Sequence, residues 1–185
     1  MRWSLAREAG DGVVHTKRAQ DEPNRLIREF LNPKRVPTEQ EIRRILDHVA
    51  QAPFSSRLVA VDHAVRGRLF QGRTLGDREP SIIAHLAKRA LVEHDWAEDV
   101  TPKEYVDHLR AVTNDPALRK AVYVRRDKRL FMGLLAPNKI PVALLGRNQS
   151  AFLWIVYSAD YGTIVTGYQV RGIEEITLPK DVRWL

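Results

Sequence analysis

The 185-residue chain contains no cysteine, which excludes disulfide staples and zinc sites built on thiolates. It has no apolar run approaching the roughly 18 residues of a membrane span. The segment MRWSLAREAGDGVVHTKR, residues 1–18, has no apolar stretch of signal-peptide length. A soluble cytoplasmic protein with no membrane contact is the expectation. LFQGRTLG, residues 69–76, lacks the Lys-Ser/Thr ending of a phosphate-binding P-loop. There is no G-x-S-x-G nucleophile elbow, and no His, Asp or Glu spacing resembles a metal site. Neither metal nor other cofactor is expected. Internal repeats and low-complexity tracts are also missing.

What is present suits a globular domain. Apolar residues make up 44 %, enough for a sizeable core at this length. Thirty Lys and Arg stand against 23 acids, an excess that suits a polyanion such as nucleic acid. A basic protein without such a partner has the same composition.

Residues 1–36 mix charge, Gly and Pro without sustained periodicity and read as an N-terminal extension, with NRLIREFLNPKR one short helix ended by Pro33. Residues 37–185 read as a single α+β domain. Thr38 and Glu41 have capping-box spacing, and Ile42, Ile45, Leu46 and Val49 form the apolar stripe of the helix that follows. RLVAVD, residues 57–62, reads as a strand, and the Gly- and Arg-rich VRGRLFQGRTLGDREP as an irregular segment. A helix is expected from Ser81 to about Trp96. Another follows Thr101, which has Glu104 at N3 and Pro102 at the first helical position, and it buries Tyr105, Leu109 and Val112. After Ala121 the period changes. AVYVRR, RLFMGLLA, IPVALL, FLWIVYS and TIVTGYQV are short apolar runs between turn signals, an antiparallel meander of four or five strands. Helices first and strands after make an α+β fold.

Two stretches carry groups suited to chemistry. On the 81–96 helix, Ile83, Leu86, Ala87, Ala90 and Leu91 share one side with His94, while His85, Lys88 and Arg89 share the other. A histidine exchanges protons near neutral pH, and the two cations suit a phosphate. A solvated basic helix face has the same pattern. In TIVTGYQV, the two-residue period puts Ile164, Thr166, Tyr168 and Val170 on one face, and Gly167 opposite them permits close approach to the backbone. Thr and Tyr are also good strand formers. Combined, the stretches suggest RNA cleavage without metal: a base takes the 2′-hydroxyl proton, and cations stabilise the charged transition state.

The order SIIAHLAKRALVEHDWAEDVTPKEYVDHL, then AVYVRR, then FLWIVYSADYGTIVTGYQV, resembles the barnase–EndoU–colicin E5/D–RelE superfamily of nuclease toxins, most of all its phage-associated branch. The resemblance covers about residues 80–170. It implies an α+β fold, RNA as substrate and no metal. It assigns catalysis to His85, Arg89, Thr166 and Tyr168, and substrate binding to Lys88 and His94, with His94 the rival of His85. The partners implied are RNA, a neutralising antitoxin or immunity protein, and a phage structural protein. PVALLGRNQSAFLWIVYS is longer and more apolar than the family pattern. The reading is a metal-independent endoribonuclease, toxin or phage effector. The alternative is a non-catalytic module on the same fold that binds nucleic acid or protein. A third, an enzyme on a dinucleotide, needs a deep apolar pocket.

Overall fold

A computed structural model describes residues 17–54 and 81–185. The strand and the Gly/Arg-rich segment expected between residues 57 and 80 lie outside the described residues. Helices α1 (Lys17–Phe30), α2 (Glu39–Gln51), α3 (Ser81–Ala87) and α4 (Pro102–Val112) precede strands β1 (Arg119–Val124), β2 (Leu130–Pro137), β3 (Phe152–Ser158), β4 (Thr163–Val170) and β5 (Arg183–Trp184). This is an α+β fold. The sheet is antiparallel with order β4-β3-β2-β1-β5, a four-strand meander with β5 added at the far edge. No helix among the described residues is long and apolar enough to cross a membrane.

Both expected capping boxes form: the Thr38 and Thr101 hydroxyls accept from the Glu41 and Glu104 N–H groups, and each glutamate reaches back to the cap. The helices cover one sheet face. Leu26, Ile27 and Phe30 of α1, Ile45 and Val49 of α2, Leu86 of α3 and Tyr105 and Leu109 of α4 pack on Val122, Met132, Leu134, Ile155, Tyr157 and Ile164. Ala121, Tyr123, Phe131, Leu135, Trp154, Val156 and Val170 form a second cluster on the outer face, beneath Ile173, Ile176, Leu178, Val182 and Trp184 of the C-terminal segment. Burial on both faces explains why β2 and β3 are apolar at nearly every position.

Four expectations need correction. Residues 17–30 are not an extension: α1 is core, and the Arg183 guanidinium binds the Phe30 carbonyl at 2.7 Å and those of Asn32 and Arg35. IPVALL is not a strand, because Val142–Leu144 form a 3₁₀ turn with Val142 exposed; the fifth strand is Arg183–Trp184 instead. The 81–96 helix widens to a π-turn over Lys88–Val92 and stops, with the Glu93 N–H bonded to the Lys88 carbonyl. That extra residue per turn shifts the phase, and Leu91 is half-buried while Leu86 and Ala90 are buried. Lastly, Tyr157 pairs with Ile164 but Val156 pairs with Thr166, so Val165 is a bulge. Beyond it the faces exchange: Ile164 joins the helix-side core, whereas Tyr168 and Val170 join the outer cluster.

Candidate functional site

Five of the six expected site residues, His85, Lys88, Arg89, Thr166 and Tyr168, gather round β4. α3 packs against β4. The Arg89 side chain, 11 % exposed, places its guanidinium 3.9 Å from the centre of the Tyr168 ring. Helix and strand halves, about 80 residues apart in sequence, therefore meet. Arg89 also pairs with Glu93, and Lys88 Nζ lies 3.4 Å from the other Glu93 oxygen. One carboxylate thus sits on both cations of the expected phosphate site. Arg89 Nε is buried without a hydrogen-bond partner.

His85 lies within the field of that pair. Burial first, then the Arg89 and Lys88 charges, push its pKa down to about 4. The imidazole is neutral at pH 7, and its Nε2 is buried without a partner. A phosphate bound to Arg89 and Lys88 would cancel two of the three causes of this depression.

Thr166 is 5 % exposed, and its hydroxyl lies 3.4 Å from the Tyr105 phenol oxygen. Tyr105 OH donates to the Gly167 carbonyl at 2.9 Å and accepts from the Gly167 N–H at 2.7 Å. Its ring meets Trp96 edge-on. Thr166 is therefore placed to position the strand and Tyr105. A Cβ at Gly167 would overlap the Leu109 side chain, so glycine is what lets α4 approach.

Comparison with protein-family models, curated proteins and solved structures gives no match.

His94 stands apart from the other five residues. It has φ 56°, a left-handed conformation after the helix, and lines an open cleft of about 290 Å³ with Trp96, Glu98, Leu145 and Arg147. Its carbonyl accepts the Asn148 N–H at 2.8 Å.

Sequence reasoning missed Glu93, Tyr105 and a buried cluster on Asp95. The Asp95 carboxylate accepts from Asn148 Nδ2 at 2.6 Å and from the Gln169 N–H at 3.2 Å. Gln169 Nε2 donates to the Asp95 carbonyl, and its Oε1 accepts from Asn138 Nδ2 and the Ser150 N–H, each at 2.8 Å. Burial pushes the Asp95 carboxyl up to about 6, against the lowering effects of these hydrogen bonds and Arg89. The segment that departs from the family pattern is pinned to β4 by this cluster. The sequence signal was faint: one acid beside Trp96, with polar partners 53 and 74 residues away.

Proposed function

We propose that the chain is a metal-independent endoribonuclease in which His85 transfers the proton and Arg89 with Lys88 holds the scissile phosphate. The observation that supports it is the stacking of Arg89 on Tyr168 beside His85, a tertiary meeting that helical or strand periodicity does not require. In this reading the phosphate displaces Glu93 from the two cations. With their charge neutralised, the imidazole becomes a stronger base and takes the 2′-hydroxyl proton. The 2′-oxygen attacks phosphorus, the 5′-oxygen leaves with a proton from solvent, and a 2′,3′-cyclic phosphate remains. Arg89 and the Tyr168 phenol stabilise the added negative charge. Thr166 acts through Tyr105, by fixing β4. The toxin or phage-effector setting, with its neutralising partner, belongs to the same proposal and rests on the sequence resemblance.

A non-catalytic RNA-binding module on the same fold is the second reading. It is favoured by the pKa near 4 at His85 and by Glu93 neutralising both cations. Incubation of the purified protein with total RNA in EDTA separates the two. The enzyme reading expects cleavage that the chelator leaves unchanged and that His85→Ala lowers by about 10²–10⁴, with RNA affinity nearly kept. Binding without cleavage by the wild type selects the module. Loss of activity in His94→Ala but not in His85→Ala transfers the proton-transfer role to His94.

A further inference from the structure

We infer that Asp95 is the positioning residue of this site: it clamps the turn that carries Arg89 to the strand that carries Tyr168, and thereby sets the stack of the one on the other. The clamp stands on geometry, and only its effect on cleavage rests on the ribonuclease reading.

Asp95 is 2 % exposed and sits where three parts of the chain meet. Its N–H donates to the carbonyl of Arg89 itself at 2.8 Å, just after the left-handed residue His94 has turned the chain back. One carboxylate oxygen accepts from the N–H of Gln169, the residue after Tyr168, at 3.2 Å, and the Asp95 carbonyl accepts from Gln169 Nε2. The other carboxylate oxygen accepts from Asn148 Nδ2 at 2.6 Å. Arg89 and the neighbour of Tyr168 are thus bonded to the same residue. Glu93 also holds Arg89, but it lies at the end of the same turn and moves with it. Packing of α3 against β4 keeps the two elements together. Apolar packing is non-directional, whereas hydrogen bonds fix one register.

A buried carboxylate is a costly way to close a strand edge. At Ile164 the same edge is closed by a main-chain carbonyl, that of Pro53. What the acid adds is two acceptors for two donors on different segments, Asn148 and Gln169. Anchoring of the 138–150 segment is a separate task, shared by Asn148 and by Gln169 Oε1, which accepts from Asn138 and Ser150. The two tasks can be separated by substitution. Asparagine at position 95 still has one acceptor for the Gln169 N–H, and alanine has none. Loss of Asn148 removes the anchor and leaves the bonds from Asp95 to Arg89 and Gln169 in place.

The test is NMR of the isotope-labelled full chain. The Arg89 side-chain protons lie over the face of the Tyr168 ring and should be shifted upfield by its ring current, in a signal that Tyr168→Leu identifies by abolishing the shift. Asp95→Ala should lose most of that shift, whereas Asp95→Asn and Asn148→Ala should keep most of it. Arg119, 4.8 Å over Trp184 at the far edge of the sheet, is the internal control and should be unchanged in all three. If the cavity left by alanine unfolds the chain, Asp95→Leu, which fills it and also lacks acceptors, replaces that variant. In the ribonuclease reading Asp95→Ala should also slow cleavage by about 10²-fold, the cost of a reacting group misplaced by about 1 Å. A full upfield shift in Asp95→Ala would overturn the clamp, as would equal losses in Asp95→Ala and Asn148→Ala, or in Asp95→Ala and Asp95→Asn. Absence of the shifted signal from the wild type would remove the stack itself. A shift lost only in Asp95→Ala, with no RNA cleavage by the wild type, supports the clamp and rejects the nuclease. Cleavage by the wild type, with rate and shift unchanged in Asp95→Ala, does the reverse.

Discussion

His85 and Asp95 titrate in overlapping windows with opposite effects on stability. The His85 imidazole is held near 4 by burial and two cations, below its ordinary 6.5. As pH falls from 6.5 to 4, the unfolded chain gains a proton that the folded chain refuses, and this histidine lowers stability. Asp95 is raised by burial from 3.8 to about 6. Over pH 6 to 4 its folded carboxyl protonates before the unfolded one, so Asp95 offsets part of the acid loss. Replacing Asp95 with Asn removes the offset while keeping the shape of the side chain. Thermal midpoints from pH 4 to 7 should therefore fall more steeply toward acid in Asp95→Asn than in wild type. Parallel curves would show that Asp95 does not titrate in this window. Rate profiles carry the same logic for His85. Under the proposed ribonuclease reading, the acid limb of kcat/KM should lie near pH 4 and that of kcat higher, because a bound phosphate would shield Arg89 and Lys88.

At the scale of elements, β4 decides the site, and its outer edge is closed along its length. The Ile164 N–H bonds the Pro53 carbonyl at 3.0 Å, Gly167 gives both backbone groups to Tyr105 OH, and the Gln169 N–H reaches Asp95. Such an edge cannot add a strand from another chain. Removal of one hydroxyl should be felt here. Tyr105→Phe leaves a buried N–H and C=O without a partner and should cost about 1–3 kcal/mol in chemical denaturation. Thr166→Val should cost much less, because the Thr166 hydroxyl makes a long contact, 3.4 Å, with the Tyr105 phenol. Equal costs would put the edge contact in Thr166. Much of this element was legible in sequence. Alternation marked the strand, Gly167 marked a close approach, and capping boxes placed α4. The bulge was not legible, because Val165 looks like any strand valine and only pairing with β3 reveals the extra residue. The π-turn was hidden for a similar reason: KRALV is a good helical sequence, and the widening depends on how Lys88–Val92 meets the rest of the fold. The chemistry of the two stretches and the family resemblance suggest that Arg89 and Tyr168 share a site, but local pattern carries no information on a contact across about 80 residues.

At the scale of the whole molecule, the first and last elements are tied together, although the sequence reads one of them as an extension. Leu26, Ile27 and Phe30 are fully buried, and α1 packs against α2 and β2. Arg183, 153 residues beyond Phe30, binds the Phe30 carbonyl, which lies at the C-terminal end of α1, and the Asn32 and Arg35 carbonyls of the segment that follows the helix. Sequence reasoning failed here because the α1 stripe is only three apolar residues long and its cap comes from the other end of the chain. Burying a large apolar side chain contributes about 1.5–3 kcal/mol, so these three contribute roughly 5–9 kcal/mol, against a total stability of about 5–15 kcal/mol for a typical domain. A chain beginning at residue 37 should therefore fail to fold cooperatively, judged by loss of a sigmoidal denaturation curve. Arg183→Ala tests the tie more gently. It should cost about 1.5–3 kcal/mol, as for a hydrogen bond to a charged group. Arg183→Lys should recover only part of that, because one ammonium cannot reproduce the planar fork that reaches the Phe30, Asn32 and Arg35 carbonyls. Full recovery by lysine would show that charge at the end of α1 matters and the fork does not. A cooperative fold from residue 37 onward would return α1 to the status of an appendage.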